Sequence, residues 1–326
     1  MPVTVRSFAK INLGLCIGVL RPDGFHDLRT VYQTIVLHDI IRVQVGRGAG
    51  IEIRCEDPRV PTDASNTCYR VVERAMEALR TRNRVTITIE KRLPVQGGLG
   101  AGSGNAVATL IALERAIKKT LPGAEKLRIA AEVGSDLPVF LVGGTALGVG
   151  RGEEVYPLPD MPATVCVVAT PKIGVSTPKA FADWDGMTAE APKLTPQPPS
   201  DRMIEFGRMV SAWLSGQPLS GVPVSRGRGR AETSLLDLVR TGIENDFEQV
   251  VFPKYPELRK VKSVLEGAGA FYASLSGSGS ALYGLFRSRA TAEEAAARLK
   301  RGGIPALVTT TMTRQQYWKK ILVSGF

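Results

Sequence analysis

Apolar and polar residues alternate through much of the first half of the chain. Residues 3–8, 11–19, 31–37, 40–45 and 51–55 carry this period of two, which predicts strands, several of them in hairpins. The period then lengthens. Residues 66–79 have helical spacing after a polar start, and residues 85–89 return to a strand pattern. A glycine-rich stretch follows, then an apolar helix expected to begin near Gly104 and to run to Ile117. Residues 124–133 read as another helix, and 147–149 with Val155 continue the sheet.

The second half opens with a strand at 165–169. Helical periodicity marks 206–214, 234–239 and 258–265. Residues 271–275, a Ser-Gly turn and 281–286 read as strand, turn, strand, followed by a helix at 290–299 and a strand at 306–310. The order helix, strand, strand, helix, strand suits an α+β layer with its helices on one face. The expected division is 1–160 and 161–326. Residues 191–200 hold four prolines, and 217–230 are rich in Gly, Ser, Pro and Arg, a composition that buries little. These stretches read as exposed loops of an insertion.

Composition narrows the class. The chain has 326 residues, 44% hydrophobic and 22% charged, as in a soluble globular protein with enough apolar material for a core. No apolar run has bilayer-spanning length, and the chain opens on a strand pattern with no basic-then-apolar leader, so the expected location is the cytoplasm. Cys16, Cys55, Cys68 and Cys166 are scattered, and only His26 and His38 could add imidazole ligands, which argues against a zinc site or a disulfide framework. A net charge of +11 fits a cleft for phosphorylated ligands. It equally fits a nucleic-acid binder, for which Arg226-Gly227-Arg228-Gly229-Arg230 is the supporting segment, though no nucleic-acid module is recognisable.

The chemistry is concentrated in Pro94-Val95-Gln96-Gly97-Gly98-Leu99-Gly100-Ala101-Gly102-Ser103-Gly104-Asn105. A glycine-rich turn between a strand and a helix lets the backbone approach an anion and aims the helix N-terminus at it, so phosphate is the natural guest. No Lys-Ser or Lys-Thr follows the glycines, and the spacing misses the dinucleotide fingerprint. By itself the stretch is also compatible with a plain tight turn.

Three further segments accompany it. They are Ala9-Lys10-Ile11-Asn12-Leu13-Gly14-Leu15, Gly134-Ser135-Asp136-Leu137-Pro138-Val139-Phe140-Leu141, and Leu275-Ser276-Gly277-Ser278-Gly279-Ser280-Ala281. In this order, over residues 7–286, they resemble the GHMP kinase superfamily. The segment Arg21-Pro22-Asp23-Gly24-Phe25-His26-Asp27-Leu28-Arg29-Thr30 resembles one branch of it, whose acceptor alcohol carries a cytidine diphosphate group. The resemblance implies a two-domain GHMP kinase fold, with an N-terminal domain like ribosomal protein S5 domain 2 and a ferredoxin-like C-terminal domain. It implies ATP and Mg²⁺ as cofactors and a small-molecule acceptor, with no nucleic-acid or membrane partner, in a monomer or weak homodimer. Homoserine or mevalonate as acceptor is the nearer alternative; those acceptors carry no base for the Asp-Gly-Phe-His segment to stack.

The resemblance also assigns roles. Asp136, which local sequence alone reads as a helix N-cap, becomes the catalytic carboxylate. Lys10, otherwise an ordinary strand lysine, lies beside it, and Asn12, on the same strand face, bonds the acceptor hydroxyls. Pro94 and the run from Gly97 to Asn105 hold the ATP phosphates, and Asn66 lies on the adenine side while also fitting an N-cap. Ser276 and Gly277 close over the site. Phe25 and Phe181 are the stacking aromatics for the cytosine, with His26 at its edge, although Phe181 also fits the apolar face of a short helix. The usual pattern has a second Ser where this chain has Gly104, which leaves Ser103 as the side-chain candidate for holding Mg²⁺.

Overall fold

The computed structural model describes residues 2–95, 97–190, 199–214 and 244–323. The expected helix at 234–239, the Gly-Arg segment at 226–230 and nearly all of the proline- and glycine-rich stretches lie outside the described residues.

The alternating pattern of the first 46 residues becomes two long antiparallel strands, β1 (Val3–Leu20) and β2 (His26–Gly46), rather than four short ones. Their register is irregular at Phe8/Ala9, Asn12/Gly14 and Ile17/Leu20. Such bulges bend and twist a long strand without ending it, which is why the sequence pattern is interrupted where the strand is not. The sheet is completed by β3 (Gly50–Cys55), β4 (Arg84–Glu90), β5 (Thr145–Val149) and β6 (Glu154–Pro157) in the order β3-β4-β2-β5-β6, with β1 on β2. The β3–β4 pair is parallel, and α1 (Thr67–Ala78) makes the crossover between them.

Helices α1, α2 (Ala101–Ile117), α3 (Gly123–Val133) and α4 (Leu137–Val142) join one face of this sheet in a single core with Phe8, Ile41, Val43, Val107, Leu110, Leu113 and Phe140. Helix α2 starts at Ala101, three residues before the expected Gly104, because Gly100 takes a left-handed conformation (φ 67°) at the N-cap.

A second sheet has the order β10-β7-β9-β8, built from β7 (Val165–Ala169), β8 (Tyr272–Leu275), β9 (Leu282–Phe286) and β10 (Ala306–Thr310). All its pairs are antiparallel, the ferredoxin-like arrangement the resemblance implies. Between β7 and β8 lie α5 (Thr177–Glu190), α6 (Pro199–Leu214), α7 (Glu248–Lys254) and α8 (Pro256–Gly267); α9 (Arg289–Arg301) joins β9 to β10. The strand β7 is apolar throughout because both its faces are buried. Val167 and Ala169 meet α8 and α9, whereas Cys166 and Val168 meet Ile11, Leu13, Val31 and Ile35 from the first sheet. The two sheets therefore share a core. The last helix, α10 (Arg314–Ile321), returns to the first layer, where Tyr317 packs on Phe8 and donates to the Phe140 carbonyl at 2.7 Å. Among the described residues no helix is long and apolar enough to cross a membrane.

Candidate active site

The bulges on either side of residues 9–12 turn β1 so that Ala9, Ile11 and Leu13 enter the core between the sheets while Lys10 and Asn12 point to the other face. Lys10 is 3% exposed, unlike an ordinary strand lysine, and a buried ammonium requires partners. It donates to Asn12 Oδ1 at 2.8 Å and lies 3.3 Å from Asp136 Oδ2. The Asn12 amide is itself fixed, since its Nδ2 donates to Thr30 Oγ1 at 2.8 Å, and that hydroxyl donates to the Gly14 carbonyl at 2.6 Å. Asn12 thus presents its carbonyl oxygen to Lys10.

Asp136 stands at the N-cap of α4, but its side chain makes no capping bond. The carboxylate turns instead to Lys10 and to Tyr32, whose hydroxyl donates to Oδ1 at 3.0 Å. It is about one-third exposed, so one side remains open to solvent. Burial, then the Asp136 charge, push the Tyr32 hydroxyl well above its ordinary value of 10, so it stays a protonated donor.

The glycine loop packs directly on this pair. The Lys10 N–H donates to the Leu99 carbonyl at 3.0 Å. A Cβ at Gly100 would sit 2.8 Å from the Phe140 ring and 3.0 Å from Lys10 Cγ. Glycine at that position therefore allows the N-terminus of α2 to rest on the lysine. No side chain caps α2, which leaves its first N–H groups for an anion. Gly104 faces the Phe8 carbonyl, with only 2.8 Å available to a Cβ, and this explains the absence of a second serine. Ser103 is half-buried in the first turn of α2.

The second loop interlocks with the first. Ser276 Oγ donates to the Gly98 carbonyl at 3.0 Å, and the Ala281 N–H donates to the Gly97 carbonyl at 3.1 Å. A Cβ on Gly277 would lie 3.6 Å from Lys10 Nζ and 3.5 Å from Asn12 Oδ1, so this loop reaches the lysine. Asn245 holds it there, donating from one amide to the carbonyls of Leu275 and Gly277, both at 2.8 Å. Glu248 adds bonds from Ser274 Oγ (2.8 Å) and the Leu275 N–H (2.9 Å).

The aromatic residues divide differently from expectation. Phe25 is exposed in its loop, with the Arg151 guanidinium 4.9 Å from its ring. His26, expected in a Gly-containing loop that favours exposure, is buried, because it opens β2 and lies flat on Phe181 with centroids 5.1 Å apart and planes at 6°. Its Nε2 bonds Asp185 Oδ1 at 2.7 Å. Phe181 also packs edge-on against Phe247, so its place on the apolar face of α5 and its contact with His26 hold together.

Asn66 serves as the N-cap of α1, accepting from the Cys68 N–H at 2.8 Å and donating to the Pro61 carbonyl at 2.5 Å. The next residue, Thr67, donates to the Gly102 carbonyl at 3.0 Å, which brings that helix end to the loop. A cavity of about 620 Å³ adjoins Pro94 and Leu99 and carries Arg59, Lys91, Arg92 and Arg289 on its wall; neither Lys10 nor Asp136 lines it. The four cysteines are free thiols, and burial raises that of Cys16 to about 12.

Sequence reasoning missed Tyr32, Asn245 and Glu248. Tyr32 depends on strand register across bulges, which leaves no local mark. Asn245 and Glu248 stand in Asn245-Asp246-Phe247-Glu248, a polar cluster just before and at the start of α7, a helix short enough to escape periodicity.

Comparison with known proteins gives a consistent result. The model for the N-terminal domain of GHMP kinases matches residues 66–144, and that for the C-terminal domain matches residues 231–304. A 4-diphosphocytidyl-2-C-methyl-D-erythritol kinase of Solibacter usitatus is 39% identical over 285 residues, 87% of this chain and 81% of that one. One of Acaryochloris marina is 36% identical over 300 residues, 91% of each. A crystal structure of a 4-(cytidine 5'-diphospho)-2C-methyl-D-erythritol kinase superposes with a TM-score of 0.70 at 28% identity, covering 94% of this chain and 98% of that one. A homoserine kinase from Cytophaga hutchinsonii shares the fold at 20% identity, with a TM-score of 0.71 over 97% of this chain and 96% of its own.

Proposed function

The chain belongs to the 4-diphosphocytidyl-2-C-methyl-D-erythritol kinases of the GHMP kinase family, and on that premise we propose that Lys10 and Asp136 carry its reaction. It is an ATP-dependent kinase that phosphorylates the 2-hydroxyl of 4-diphosphocytidyl-2-C-methyl-D-erythritol in isoprenoid precursor biosynthesis.

Transfer to an alcohol requires an aligned hydroxyl, a proton acceptor or guide, and neutralisation of the charge on the moving phosphoryl group. The observation that carries the reading is the Lys10–Asp136 pair at 3.3 Å, seated under the uncapped N-terminus of α2. The acceptor hydroxyl binds at the open side of Asp136, which orients it and takes up its proton. Lys10, oriented by Asn12, pairs with the carboxylate and faces the developing charge. The α2 N–H groups and the glycine backbone at 97–104 hold the ATP phosphates. The cytidyl end lies toward Phe25, His26 and Phe181.

Mg²⁺ belongs to the same proposal. Among the described residues no three His, Cys, Asp or Glu side chains cluster as a metal cage. Ser103 and Asp136 offer oxygen donors only, which suits a magnesium ion held mainly by ATP phosphates and water. Bound there, it would supply charge neutralisation on the phosphates.

The test is ADP release and phosphorus NMR with purified protein, ATP, magnesium and three acceptors in turn: the cytidyl substrate, its uridyl analogue and homoserine. Formation of a 2-phosphate from the cytidyl compound far ahead of the others is expected. Equal turnover of homoserine would overturn the acceptor assignment.

A further inference from the structure

Asp136 is gripped from two sides, and Tyr32 provides the second grip. The β1–β2 register sets Tyr32 directly opposite Asn12, and on its other side opposite Ala146 of β5. Paired residues share a sheet face, so the tyrosine lies beside Lys10 and Asn12; its ring centre is 5.6 Å from Lys10 Nζ. Two glycines make the space for it. A Cβ at Gly148 would come within 2.5 Å of the ring, and one at Gly152 within 2.6 Å of the hydroxyl. In that slot the 2%-exposed side chain reaches Asp136 Oδ1 at 3.0 Å, with the Gly152 carbonyl at 3.4 Å as a second neighbour.

We propose that Tyr32 is the positioning residue of the carboxylate, holding Asp136 in the one rotamer that keeps Oδ2 on Lys10 and presents the open side to the acceptor hydroxyl. The inference rests on the reading of Asp136 as the catalytic group. Without the phenol, Asp136 would have one ionic partner at 3.3 Å, no capping bond and a partly exposed side chain free to rotate. Glu153, from the turn after β5, also acts on Tyr32 and is itself paired with Arg151 at 3.0 Å.

Tyr32→Phe in the full chain removes one oxygen and keeps the ring. Turnover should fall by about ten- to a hundred-fold, the worth of a hydrogen bond to a charged group, with KM for ATP and acceptor near wild type. The single-turnover rate should fall by the same factor, which places the loss in the chemical step. Tyr317→Phe, which deletes a comparable buried bond to the Phe140 carbonyl, should lower the melting temperature and leave the single-turnover rate near wild type. In an Asp136→Asn background, Tyr32→Phe should cause no further loss of turnover.

A Tyr32→Phe enzyme with wild-type turnover, or one whose loss is confined to thermal stability, overturns the proposal. If Asp136→Asn itself keeps full turnover, the catalytic reading fails and takes this one with it. If Asp136→Asn is inactive while Tyr32→Phe is normal, only the role of Tyr32 fails.

Discussion

Replacing Gly98 by alanine tests whether the two glycine loops act as one body. Gly98 has φ 75°, in the left-handed region, and a Cβ there would collide with the backbone carbonyl of Ser276. The left-handed conformation costs alanine about 1–2 kcal/mol. The collision adds about 1–3 kcal/mol, as for other overpacked sites, because the struck atom is main chain and cannot swing aside. The Ser276 loop is braced by Asn245 and by the Ser276 N–H to Ala281 carbonyl bond at 2.9 Å, so moving it breaks further contacts. A total near 2–5 kcal/mol follows from these two principles, enough to lower the melting temperature by several degrees. Gly102→Ala is the contrasting variant. Its Cβ would meet only Thr67 Oγ1, at 3.9 Å, within the first turn of a helix, so stability should hold or rise by about 0.5–1 kcal/mol. Thermal denaturation of both proteins, followed by circular dichroism, decides the matter. Equal melting temperatures for Gly98→Ala and wild type would refute the interlocking of the loops.

Other perturbations are equally specific. Ser103→Ala should raise the Mg²⁺ concentration needed for half-maximal turnover, and an unchanged magnesium titration removes Ser103 from the metal's surroundings. His26→Ala deletes the stack on Phe181 and the bond to Asp185, so the acceptor KM should rise with the ATP KM little changed; parallel rises in both would point to general unfolding. Burial raises the hydroxyls of Tyr32, Tyr272, Tyr283 and Tyr317 above the ordinary value of 10. The neutral phenol is the form the fold favours, so their contribution to stability is complete below pH 10 and is lost above it. In an absorbance titration these four of the seven tyrosines should ionise only as the protein unfolds, and ionisation of all seven with native circular dichroism intact would contradict this.

Much of the fold was legible because burial left a periodic mark. The all-apolar β7, the alternating β4 and the amphipathic α1 and α8 were all read at close to their observed ends. The joins were harder. Bulges hid the continuity of β1 and β2, and a left-handed Gly100 moved the start of α2 to Ala101. Lys10, Asn12, Asp136 and the two loops were found by their motifs, and the structure brings them together. Tyr32 and Asn245 were not, because their partners are fixed by register and by a contact about thirty residues away. The burial of His26 left no local mark, because its Gly-containing loop favours exposure and the flat contact that buries it is with Phe181, 155 positions later.

The central claim is that Asp136, set by Lys10 and Tyr32, acts on the acceptor hydroxyl in the transition state and not on ATP in the ground state. Asp136→Asn tests it most directly, by single-turnover kinetics with the cytidyl acceptor alongside equilibrium titration with ATP. An interaction used in the transition state appears in turnover and not in ground-state affinity. Turnover is expected to fall by about 10²–10⁴-fold, the usual contribution of a positioned acid–base group, with the ATP dissociation constant nearly unchanged. Near-wild-type turnover, or a loss explained wholly by weaker ATP binding, would contradict the account.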